Sequence, residues 1–119
     1  TFPSVNANVA ALNIASQSLT GGVVVTPASL TTGNITVNCG TNPIQTITNN
    51  GAYTITAPAN DGYCLIKVTN GASAGATSFS GFSVGSNTGD PLTTVNTNKF
   101  IISVIRAGGD STYSIKALQ

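Results

Sequence analysis

The stretch that decides the fold is residues 49–69, which read NNGAYTITAPANDGYCLIKVT. Residues 53–57 alternate apolar side chains with threonines, the period of two expected of a strand with one buried face. The polar residues 60–62 supply a turn, because Asn, Asp and Gly tolerate left-handed backbone angles. After this turn, residues 64–68 alternate again and place Cys64, Ile66 and Val68 on one face. The stretch therefore predicts two successive β-strands.

Similar short alternating segments recur along the whole chain. Further strands are predicted at Val23–Thr26, Asn34–Cys39, Ile44–Thr48, Thr77–Phe79, Lys99–Arg106 and Tyr113–Leu118. The segment from Lys99 is apolar on both faces, which predicts a central strand, and Gly108–Ser111 predicts a hairpin after it. Strands at intervals near ten residues, with no helical segment between them, predict an all-β fold: a single antiparallel β-sandwich or a partly closed barrel.

The length of 119 residues predicts one domain. Residues 1–20 follow no clean period of two and are rich in Asn, and Gly21-Gly22 ends this segment. We interpret residues 1–20 as an extended N-terminal arm that docks on its own body or on a neighbour, and residues 21–119 as the β-sandwich domain. A disordered tail is the alternative for the arm.

Charged residues make up only 6% of the chain, and the net charge is +1. Lys67, Lys99, Arg106 and Lys116 are scattered along the sequence, which argues against nucleic-acid binding. No apolar run approaches the roughly 18 residues of a membrane span. Residues 1–60 carry no charge at all. A strand-rich, uncharged half invites association, so we expect a partner to cover it, unless its Asn and Thr residues suffice for solubility.

No set of residues in the sequence predicts catalysis or a cofactor. His and Glu are absent, and Asp61 and Asp110 lie in turn sequences, where Asp caps the backbone. Two cysteines and three dispersed aspartates are too few for a closed metal site. We therefore expect a non-enzymatic protein without a metal or a cofactor.

The two cysteines, Cys39 and Cys64, both fall on the inward face of predicted strands. A disulfide between them would close a loop of 25 residues. The chain-entropy model gives such a bridge a stabilisation of about 3.5 kcal/mol. Two buried free thiols that pack as small apolar groups are the alternative, and the sequence leaves both open.

From Thr48 onward the chain resembles small β-rich virion structural proteins of tailed bacteriophages. The resemblance rests on residues 50–55 (NGAYTI), 69–82 (TNGASAGATSFSGF), 89–94 (GDPLTT) and 113–119 (YSIKALQ). It implies a component of the virus particle, assembled in the bacterial cytoplasm. Its most direct form is a capsid decoration (cement) protein that binds the major capsid protein of the assembled shell, as a homotrimer by analogy with such proteins.

Two other functions remain open at this point. A fibre or receptor-binding module could use Tyr53, Tyr63 and Tyr113 to stack on glycans. A secreted pilin-like or adhesin subunit could donate residues 1–20 as a strand to a neighbour and bridge its cysteines.

Overall fold

The computed structural model describes residues 24–30, 33–84 and 88–119. These residues form eight strands and no helix. The strands are β1 (Ala28–Leu30), β2 (Ile35–Thr36), β3 (Ile44–Asn49), β4 (Tyr53–Thr56), β5 (Gly62–Asn70), β6 (Thr77–Ser80), β7 (Lys99–Ala107) and β8 (Asp110–Ala117).

The strands lie in two sheets, and the chain alternates between them. The large sheet has the order β1-β3-β5-β7-β8, and the small sheet has the order β2-β4-β6. All pairings among the first six strands are parallel. Successive pairs of strands therefore form coils that stack on one another, and each coil contributes one strand to each sheet. The last two strands are antiparallel and extend the large sheet alone.

The predicted all-β fold is confirmed, but the predicted antiparallel order is wrong for the first six strands. The sheets also do not close into a barrel. An Asn-Gly pair between alternating segments favours a tight hairpin. Here, however, the Asn49 side-chain oxygen accepts the backbone N–H groups of Gly51 at 3.2 Å and of Gly75 at 3.1 Å. These bonds hold the turn in a course that leads the chain into the other sheet.

One apolar cluster joins the two sheets. The large sheet contributes Ile47, Ile66 and Ile102, and the small sheet contributes Tyr53 and Ile55. Alternate residues of β5 and β7 are almost fully buried, as their sequence predicts: Cys64, Ile66, Val68, Phe100, Ile102 and Val104. Burial of each large apolar side chain contributes roughly 1.5–3 kcal/mol.

Two predictions about the antiparallel part of the large sheet agree with the structure: the central position of β7 and the turn that follows it. Strand β7 lies between β5 and β8, so its central position is confirmed. The β7–β8 hairpin turns at Gly108 and Gly109, whose φ angles of 59° and 90° suit a tight turn. On the outer edge of β8, the Ile115 N–H donates to the Thr88 carbonyl at 2.7 Å, and its carbonyl accepts the Asp90 N–H at 2.9 Å. These bonds cover part of an edge that would otherwise be free to pair.

Other boundaries differ from the prediction. Residues 24–26 form no strand, and β1 begins directly after Pro27, the residue before which the predicted strand ended. Proline is tolerated at the start of an edge strand because its missing N–H is not needed there. Strand β6 ends at Ser80, directly before Gly81, whose φ of 79° bends the chain, so the residues after it do not continue the strand. The predicted arm, residues 1–20, lies outside the described residues.

Candidate functional site

One candidate surface is the side of the large sheet that faces away from the core. Because residues 64, 66, 68, 100, 102 and 104 point inward, their neighbours along β5 and β7 point outward. We call this surface the outer face. On strands β5, β7 and β8 it includes Tyr63, Leu65, Lys67, Thr69, Lys99, Ile101, Ser103, Ile105, Thr112, Ser114 and Lys116.

The register arranges these side chains in rows across the strands. Tyr63 lies opposite Ile105, which lies opposite Thr112 on the other side. Tyr63 is 55% exposed and Ile105 is 42% exposed. The next row brings Leu65, Ser103 and Ser114 together. The hairpin half of the outer face thus carries hydroxyl groups and partly exposed apolar groups.

The other half of the outer face holds all three lysines of the chain. Lys67 and Lys116 lie on either side of Ile101 in the same row, and Lys99 precedes Ile101 by two residues on the same strand. We call these four residues the lysine patch. The topology therefore brings together three lysines that are scattered in the sequence. The inward–outward alternation of β5 and β7 could have placed Lys67 and Lys99 on one face, but the pairing of the strands was needed to bring them together.

Two of the three aspartates, Asp61 and Asp90, accept backbone N–H groups near the two ends of the large sheet. Asp61 accepts the Gly108 N–H at 3.1 Å and contacts the Arg106 guanidinium at 3.2 Å. Asp90 accepts the Ala117 N–H at 2.9 Å and lies 3.9 Å from the Lys116 ammonium. The sequence-based interpretation of Asp61 as a residue of the turn is consistent with these contacts.

Cys39 and Cys64 are joined in a disulfide. The bond connects the turn that follows β2 to the third residue of β5, and so links the small-sheet side of the chain to the large sheet. Beside it lies a cavity of about 110 Å³. Its lining has no charged side chain and consists of Val37, Asn38, Cys39, Gly40, Pro58, Ala59 and Asn60. The cavity is too small for more than a few water molecules.

A buried pair of amides, which sequence reasoning missed, fastens the turns at one end of the coils. Asn49 and Asn70 are register partners, 1% and 3% exposed, and the Asn49 amide donates to Asn70 at 3.2 Å and to the Gly75 carbonyl at 2.8 Å. The Asn70 amide donates to the carbonyls of Thr93 at 2.7 Å and Val95 at 3.0 Å. The repeated Thr-Asn pair at 48–49 and 69–70 was the signal in the sequence.

A close approach of two turns accompanies this amide pair. A β-carbon on Gly75 would overlap the backbone of Gly51 and Ala52. The Tyr53 N–H also donates to the Ala76 carbonyl at 3.1 Å. The small-residue segment 70–76 therefore packs directly on the backbone of the preceding coil.

The three tyrosines do not form one site. Tyr53 is 3% exposed and lies in the core. Tyr113 stacks on Phe79 with a centroid separation of 3.8 Å, and Phe82 packs edge-on against both rings. Tyr63 lies on the outer face. The idea that the three rings stack on glycans together is therefore wrong in its geometry, because the alternation of the strands sends them to different places.

No family model, curated protein or solved structure matches this chain. Within residues 24–30, 33–84 and 88–119, no helix is long and apolar enough to cross a membrane. In the same ranges, no three Cys, His, Asp or Glu side chains are grouped in a way that could hold a metal ion.

Proposed function

We propose that this protein is a non-enzymatic structural subunit of a bacteriophage particle, and that it decorates the assembled capsid and stabilises it. The observation that carries the proposal is the outer face. The outer face is partly apolar and rich in hydroxyl groups, and a surface of this composition is suited to contact with another protein. The reason for proposing a phage particle is the resemblance to virion proteins of tailed phages, which covers residues 50–55, 69–82, 89–94 and 113–119.

The chemistry of the hairpin half of the outer face favours a protein partner. Tyr63 and Ile105 lie side by side and remain partly exposed. Tyrosine is enriched in the centre of protein interfaces, where charged side chains are depleted because their desolvation is costly. The hydroxyls around these two residues, such as Thr112, can bond a neighbouring subunit without that cost.

The body behind this face is suited to rigid docking. The disulfide and the amides of Asn49 and Asn70 fix the coils to each other. A preorganised surface loses less conformational entropy on binding. A protein that binds only the assembled shell stabilises that shell by mass action. In this proposal the two sheets form one sandwich body, and residues 1–20 act as an arm that contacts a neighbour. The protein forms a homotrimer, which multiplies the contacts with the major capsid protein.

Immunoelectron microscopy of purified particles and of host cells, with antibodies against this protein, tests the proposal. We expect regular label over the capsid. Label confined to the tail would favour a fibre or receptor-binding module. Label on host-cell filaments, with none on particles, would favour the pilin-like subunit and contradict a virion role.

The exposed ring of Tyr63 is the observation that favours a glycan-binding module as the second candidate. If that module is correct, Tyr63→Ala abolishes adsorption of particles to cells and leaves the thermal stability of the particles unchanged. A decoration protein predicts the reverse pattern: adsorption is retained and the particles open at a lower temperature.

A further inference from the structure

We propose that the lysine patch docks on a carboxylate-bearing surface of a partner protein. This inference rests on the proposed function and deepens it, because it names the chemistry that the partner must present. The patch consists of Lys67, Lys99 and Lys116 around Ile101, at the end of the large sheet away from the β7–β8 hairpin.

The geometry of the patch fits a surface better than a small anion. Lys67 and Lys116 lie two strands apart, which is roughly 10 Å between their Cα atoms, since neighbouring strands are about 4.8 Å apart. Lys99 lies about 7 Å along the strand from Ile101. The three stems rise from one side of a sheet rather than converge around a pocket. They can therefore meet three separate carboxylates, but they do not enclose one phosphate.

The charge of the patch is incompletely balanced. Asp90 is the carboxylate nearest to it, 3.9 Å from Lys116, and both side chains are substantially exposed. Three ammonium groups and one carboxylate leave this end of the sheet with a net side-chain charge of +2. The remaining charged side chains are Arg106, Asp61 and Asp110, near the hairpin. The charge of the molecule is thus polarised along the large sheet, and an acidic partner is complementary to one end of it.

The surroundings favour protein over nucleic acid. The centre of the patch is Ile101, a partly buried aliphatic side chain. Lysine stems can cover such a residue and keep their ammonium groups at the rim, an arrangement that suits a protein contact. Specific nucleic-acid binding generally relies on more phosphate contacts than three lysines provide.

Binding of the purified protein to immobilised poly-L-glutamate tests the proposal. Duplex DNA and phosphatidylglycerol vesicles serve as competing probes. The measurement is made at about 20 mM salt, where the screening length is roughly 20 Å, and repeated at about 150 mM, where it is roughly 8 Å. We expect binding to poly-L-glutamate that weakens at the higher salt and exceeds binding to the other two probes.

Two variants of equal net charge locate the binding surface. Lys67→Gln removes one cation from the patch, and Arg106→Gln removes one cation near the hairpin. We expect the first to weaken binding several-fold and the second to change it less than twofold. The triple change of all three lysines to Gln is expected to abolish binding, and the triple change to Arg is expected to retain it. If the triple Gln variant does not fold, the comparison of Lys67→Gln with Arg106→Gln still locates the binding surface.

Three results would overturn the inference: no binding to poly-L-glutamate, equal losses in Lys67→Gln and Arg106→Gln, or tighter binding to DNA or to vesicles. The result is separable from that of the proposed function. If the triple Gln variant still decorates particles, the lysine inference fails and the proposed function stands. If the wild-type protein binds poly-L-glutamate but is absent from particles, the proposed function fails and the inference stands.

Discussion

At the ends of strands β3 and β5, Asn49 and Asn70 lie side by side with their amides buried. Each amide satisfies backbone groups of turns that are distant in sequence. A buried donor or acceptor without a partner costs about 1–3 kcal/mol, so the removal of one such amide exposes several unmet groups at once. These two residues therefore decide the course of the chain between the sheets as much as the apolar core does.

We predict that Asn49→Ala lowers the free energy of unfolding by about 2–4 kcal/mol, because the N–H groups of Gly51 and Gly75 and the Gly75 carbonyl lose their partner. Urea denaturation followed by circular dichroism measures the change. Asn96→Ala is the matched control at an exposed Asn, and we expect less than about 0.5 kcal/mol there. Equal effects in the two variants would contradict the role of the buried amide.

Tyr53 is a second buried residue, and its hydroxyl makes the stability of the protein depend on pH. Its hydroxyl is buried and, in the part of the chain that the structure describes, has no hydrogen-bond partner. Burial raises the pKa of this hydroxyl above its ordinary value of 10.0, and the neighbouring Thr77 side chain lowers it in part, although it is not in hydrogen-bonding geometry. The folded protein therefore holds this proton at a pH where the unfolded chain releases it.

We predict that Tyr53→Phe leaves the free energy of unfolding unchanged or raises it by up to about 1 kcal/mol at neutral pH, since an unpaired buried hydroxyl is removed. The raised pKa of Tyr53 contributes to the free energy of unfolding. This contribution is fully present below a pH of about 10 and is lost as the pH rises above that value. The variant should therefore lose less stability than the wild type in that range. Tyr63→Phe, at an exposed ring, is the control and should follow the wild type.

At the scale of the elements, the disulfide is the covalent link between the turn after β2 and strand β5. It closes a loop of 25 residues. That loop contains all of β3 and β4, so the bond restrains one complete coil in the unfolded chain. We expect the disulfide to stabilise the coils and not the β7–β8 hairpin, because the hairpin lies outside the loop.

We predict that the double variant Cys39→Ala/Cys64→Ala loses about 3.5 kcal/mol of unfolding free energy. Intact mass measurement under non-reducing conditions should show the wild type lighter by two hydrogen atoms than its reduced form. A wild-type mass equal to the reduced mass would contradict the bridge and leave two buried thiols. A reductant should bring the stability of the wild type close to that of the variant.

At the scale of the whole molecule, alternation in the sequence predicted which residues are buried but not how the strands pair. Tyr53, Ile55 and Cys64 are inward as expected. A period of two is the same for parallel and antiparallel strands, so it cannot distinguish a hairpin from a stacked coil. The difference lies in contacts between turns 26 residues apart, such as those between Asn49 and Gly75, which no local pattern contains.

The sequence likewise predicts the direction of the side chains in the candidate site but not which of them lie together. The outward position of Lys67 and Lys99 follows from the burial of their neighbours in sequence. Their convergence with Lys116 around Ile101 depends on the order β5-β7-β8, which only the fold supplies. A count of scattered cations therefore missed a surface with a concentrated charge.

The measurement that tests the central claim most directly is lysine acetylation, with mass spectrometry of the peptides, on purified particles and on the isolated protein. All three lysines lie on the outer face, so their reactivity reports whether that face is covered. We predict that Lys67, Lys99 and Lys116 react readily in the isolated protein and are protected in the particle, with reactivity restored when the particles are dissociated. Equal reactivity of the three lysines in the particle and in isolation would contradict docking through the outer face.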